Sequence, residues 1–120
     1  MNHRETFHKK MKELMKDLIK VFPGDRDIKL LSSSINMAMM DDPKDKVIKR
    51  FYNIVGQHGT LIKNKDDAFF RSDFGNEGGD SQLFMKMSSY WDTLHDDNKK
   101  AIWNYLHVLL VLSEAVLGTK

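Results

Sequence analysis

The chain reads as an all-α protein, a compact bundle of about five main helices with an irregular segment and glycine-rich loop at 60–80. Three observations carry that expectation. Apolar residues recur every three or four positions over most of the sequence, the spacing that gathers them on one face of a helix with 3.6 residues per turn. No useful length of chain alternates apolar with polar residues, as a half-buried strand would. Proline and glycine fall mostly between the periodic segments, where they stop helices.

The first helix is expected over residues 4–22, with Phe7, Met11, Leu14, Leu18 and Phe22 on its inner face. Pro23-Gly24 ends it. Asp25 suits the N-cap of a second helix, because its carboxylate can accept from the free N–H groups of the first turn. Ile28, Leu31, Ile35 and Ala38 or Met39 would then face inward. In Asp41-Asp42-Pro43, Asp42 can cap a third helix and Pro43 can take its first position, where a missing N–H costs nothing. Val47, Ile48, Phe51, Ile54 and Val55 would point inward, with the stop near Gly56 or Gly59.

Thr60–Lys63 and Asp66–Phe70 read as single helical turns, and Asp73–Asp80, with three glycines in eight residues, as a loop. A fourth helix is expected from Ser81 to about Leu94, burying Leu83, Met87, Tyr90 or Trp91, and Leu94. The last, capped by Asp96, would run to Leu117 and end at Gly118, a favoured residue just past a helix. Its 106–112 stretch is apolar on nearly every side. That suits either the centre of the bundle or a helix shared with another subunit.

Composition narrows the function classes. With 41% hydrophobic and 30% charged residues the chain is globular, and 120 residues make one helical domain, 1–120, rather than two. The 19 Lys and Arg nearly balance 17 Asp and Glu, unlike a polycationic tail. Zero cysteines exclude a disulfide framework, a thiolate zinc site and a cysteine nucleophile. Ser113 and Glu114 interrupt the most apolar stretch, so no membrane span is expected, and the basic N-terminal region lacks the apolar core of a secretory signal.

Three strings occur in order: Val21-Phe22-Pro23-Gly24-Asp25-Arg26-Asp27-Ile28, then Asn64-Lys65-Asp66-Asp67-Ala68-Phe69-Phe70, then Tyr90-Trp91-Asp92-Thr93-Leu94 followed by residues 99–106 around Trp103. The ordered combination, over roughly residues 7–117, resembles short uncharacterised α-helical proteins encoded by nucleocytoplasmic large DNA viruses. The resemblance implies a small helical viral protein of the host cytoplasm or the virion. That family has no settled activity, so no residue roles come with it.

Candidate sites follow from the residues themselves. Lys9, Lys12, Lys16 and Lys20 share one face of the first helix and could track a phosphate backbone; a solvated outer face is the simpler account. Asp66 and Asp67 point about 100° apart on a helix and make no single metal site, so a cap on a short turn pinned by Phe69-Phe70 is the better expectation. No histidine pair has the three- or four-residue helical spacing of a metal site, and His107 is expected to be packed or interfacial. No nucleophile–base pattern and no phosphate loop is present, so neither catalysis, cofactor nor small-molecule substrate is read.

What is left is association. An exposed aromatic beside the 106–112 run would mark a protein-binding patch, and the expected anchors are Trp103, Tyr105, Leu109 and Leu112. Met37, Met39 and Met40 fit the same idea. The expectation is a non-enzymatic protein that associates with itself or a protein partner; the alternative is a nucleic-acid-binding accessory protein using the lysine row.

Overall fold

Asn2 opens the first helix, its side chain accepting a hydrogen bond from the Glu5 backbone N–H at 2.8 Å. In the computed structural model, which describes residues 2–71 and 82–118, α1 (His3–Val21) follows and buries Phe7, Met11, Leu14, Met15 and Leu18. It ends before Pro23. Asp25 then caps α2 (Arg26–Met40), accepting from the Ile28 N–H at 3.1 Å, as its position after Pro-Gly leads one to expect.

The start of α3 (Lys46–Val55) differs from the expectation. The Asp42 carboxylate does accept from the Lys46 and Val47 N–H groups, at 2.8 and 3.0 Å. Pro43, however, lies in a turn rather than at the first helical position. The helix begins only after Asp45, which has φ 54°, in the left-handed region that is open to Asp and Asn more readily than to bulkier residues. Arg4 grips the Asp45 carboxylate through Nε and Nη2, and this pairing ties the entry to α3 onto the first turn of α1.

α3 stops at Val55 with Gly56 in its C-cap position, where the sequence leads one to expect the stop. A 3₁₀ turn (Gly56–His58) leads straight into the single-turn α4 (Gly59–Lys63). The Tyr52 ring lies 2.9 Å from where a Cβ on Gly56 would stand, so the close approach favours glycine there. A second 3₁₀ turn, Asp67–Arg71, is capped by Asp66, whose carboxylate accepts from the Ala68 N–H at 2.9 Å. The expected 73–80 loop lies outside the described residues.

The fourth expected helix is shorter than its apolar pattern. α5 (Gln82–Tyr90) tightens into a 3₁₀ turn at Trp91–Thr93. There the Thr93 hydroxyl donates to the Tyr90 carbonyl at 2.7 Å. The tightened turn leaves Trp91 stacked on Phe70, 4.0 Å between centroids, with Trp103 edge-on at 5.3 Å. His95, not Asp96, holds the N-cap position of α6 (Asp96–Leu117), without a side-chain capping bond among the described residues. Asp96 and Asp97 instead occupy its first turn, where carboxylates suit the positive end of the helix dipole. Gly118 closes it with φ 72°, as a residue without a Cβ readily does.

α1 packs along α6 and against α2, α3 and α4 pack on α6, and α5 leans on α2. All five main helices, α4 and the Phe69-Phe70 turn contribute buried side chains to one core. The radius of gyration, 13.5 Å, is what a compact 120-residue globule should show, about 13.6 Å. Among the described residues there is no strand. The fold is an all-α bundle.

Candidate interaction surfaces

On α1 the core stripe leaves the opposite face to water, and Lys9, Lys12, Lys16 and Lys20 all stand exposed there. From Lys9 to Lys20 the row covers twelve residues, roughly 16 Å of helix. Among the described residues none of the four is within ion-pair distance of a carboxylate. The acids beside them are engaged: Glu13 pairs with Lys10 at 3.4 Å, and Asp17 accepts from the Tyr105 hydroxyl at 2.6 Å. Glu5 shares the lysine face and dilutes its charge. Near the start of the helix, His8 is half-buried, and its Nε2 has no hydrogen-bond partner among the described residues. Burial pushes its imidazole below the usual value, while Asp42 and Asp45 pull it up and Lys12 and Arg4 push it down.

The expected anchors on α6 divide. Trp103 and Leu109 are buried in the core, 4% and 0% exposed, and cannot reach a partner without opening the protein. Tyr105 is half-buried on the α1 side; burial, then the hydrogen bond to Asp17, pushes its hydroxyl up to about 12. Leu112 is half-buried against the core. The surface of α6 is a different arc, made by Asn104, His107, Val108, Val111 and Ala115. Val108 and Val111 are 40% and 50% exposed. His107, expected to be packed or interfacial, is exposed in the single chain. Periodicity singled out α6 without fixing its exposed side, because a segment apolar all round does not say which arc its neighbours cover.

By length and composition α6 could cross a bilayer, with a mean hydropathy of 1.3 over its most apolar window. Packing on α1, α3 and α4 accounts for part of that apolarity. Only 33% of the window is buried, so the core does not account for the outward valines.

A second apolar strip lies on α2, where Leu30, Met37 and Met40 are 65%, 72% and 83% exposed while Met39 turns inward. The turn before α2 carries a network that sequence reading missed. Besides its capping bond, Asp25 accepts from the Tyr90 hydroxyl and from Lys86 Nζ at 3.1 Å, and Lys86 also reaches Asp27 at 3.1 Å. Phe22 stacks on the Tyr90 ring, 4.1 Å between centroids. The Tyr90 hydrogen bond leads in holding the Asp25 carboxyl down to about 2. These residues lock α5 onto the α1–α2 turn.

No protein-family model, curated protein or solved structure matches this chain. The geometry therefore stands by itself. Among the described residues no three His, Asp or Glu side chains converge as metal ligands would. The cleft between α1 and α6, with Leu14, Leu18 and Ile102 in its wall and Tyr105 and Asp17 at its edge, holds about 230 Å³, below the roughly 300–1,000 Å³ of typical ligand pockets.

Proposed function

We propose that this is a non-enzymatic helical protein that works by association, with itself or with a protein partner, through apolar strips on its outer helices. One observation carries the reading: large hydrophobic side chains stand in water at helical spacing on α2 and α6 although the bundle has a closed core. Apolar surface gathered into strips, rather than scattered singly, marks interaction sites. The flexible thioethers of Met37 and Met40 suit an adaptable contact. The motif resemblance supports a setting in the host cytoplasm or virion of a large DNA virus.

A photo-reactive amino acid placed at Met40 or Val111 in expressing cells tests this, with Lys12 as the control position. Adducts concentrated at the two strip positions support association. Adducts equal at all three positions, or none, contradict it.

A second reading rests on the lysine row, whose four ammonium groups have no ion-pair partner among the described residues. It assigns α1 to a nucleic-acid backbone. Oligonucleotide binding by fluorescence anisotropy should then weaken steeply with salt, with a log–log slope of up to about −4 for four phosphate contacts on duplex DNA. Replacing Lys9, Lys12, Lys16 and Lys20 with glutamine should abolish it with helicity unchanged. Undiminished affinity after that change would remove the lysine row from the function.

A further inference from the structure

Resting on the association reading, we infer that two copies of this chain pair antiparallel across the outward face of α6, crossing near His107. The strip is uncharged along its middle, where Asn104, His107, Val108 and Val111 are exposed, and charged at its two ends by Lys100 and Glu114. Fourteen residues is close to four helical turns, so Lys100 and Glu114 lie on the same edge of the strip. Among the described residues neither is ion-paired within its own chain. Each stands seven residues from His107.

A two-fold axis at that point brings Lys100 of either copy level with Glu114 of the other, forming both pairs at once. Parallel pairing does the opposite, setting lysine beside lysine and glutamate beside glutamate. Antiparallel packing also opposes the helix dipoles favourably. A C2 interface requires such a self-complementary patch. The α1 lysine row cannot serve a second copy, because it presents like charge to like.

The strip from Lys100 to Ala115 is about 22 Å long. One helix face of that length falls short of the roughly 800 Å² per partner of a standard stable interface, so the pairing is expected in the micromolar range or weaker.

Sedimentation velocity at rising concentration tests the pairing. The average mass should climb from 14.0 kDa towards twice that value. At low salt K100E and E114K should each weaken the dimer about tenfold, since each replaces two attractions with two repulsions. The double variant K100E/E114K should recover wild-type affinity within about twofold. The chain has no cysteine, so V108C supplies a lone thiol close to the axis and should yield a covalent dimer under mild oxidation, while L30C on α2 stays monomeric. A monomer at every concentration without V108C cross-linking overturns the inference, as does a dimer indifferent to both reversals. Cross-linking through L30C alone also overturns it while leaving association itself standing.

Discussion

His8 sits half-buried between the Arg4–Asp45 pair and the lysine row. A folded-state pKa below the unfolded value means that the unfolded chain takes up the proton more readily. Stability contributed by neutral His8 is therefore present above about pH 6.5 and lost as the pH falls through the folded value. Urea midpoints should decline between pH 7 and pH 5, and His8→Gln should flatten that part of the profile. An equally steep decline in the variant would show that His8 is not the group responsible. Asp25 shows the limit of local reading. Its capping role was legible in Pro23-Gly24-Asp25, because a cap is a relation between neighbours. Its bond to Tyr90, 65 residues away, was not, since helical periodicity gives each element an inner face without saying which faces meet.

At the scale of elements, α6 carries both the core and the candidate interface. Leu109→Ala should cost about 2–5 kcal/mol in urea unfolding, as truncating a fully buried leucine does. Val111→Ser, at an exposed position, should stay within about 0.5 kcal/mol of wild type. Similar losses at both positions would mean that α6 does not present the arc described. The ends of α1, α2 and α6 were legible because Pro23-Gly24, Asp25 and Gly118 act through rigid chemistry: a missing N–H, a carboxylate in reach, no Cβ. The start of α3 was not, because Pro43 fits a turn as well as a first helical position and the Arg4–Asp45 contact joins residues 41 apart. Likewise Trp91 and Leu94 continue a helical pattern, yet the last turn of that segment tightens beside the Phe70–Trp91 stack.

For the molecule as a whole, a net charge of +2 conceals an uneven surface. One face of α1 is lysine-rich, while α2 and the far side of α6 are partly apolar. The fold class was legible from periodicity and punctuation alone. The candidate surfaces were legible only in outline, because exposure is settled when the helices assemble: Trp103 and Leu109 went into the core, and Val108 and Val111 were left outside. The most direct test is light-scattering mass against concentration for the wild type and for V108D/V111D. The expected result is a wild-type mass that rises above 14.0 kDa, while the variant stays monomeric with unchanged helicity and melting. Two chains that remain monomeric alike, or associate alike, would contradict the assignment of the outward face of α6 as the surface through which this protein pairs.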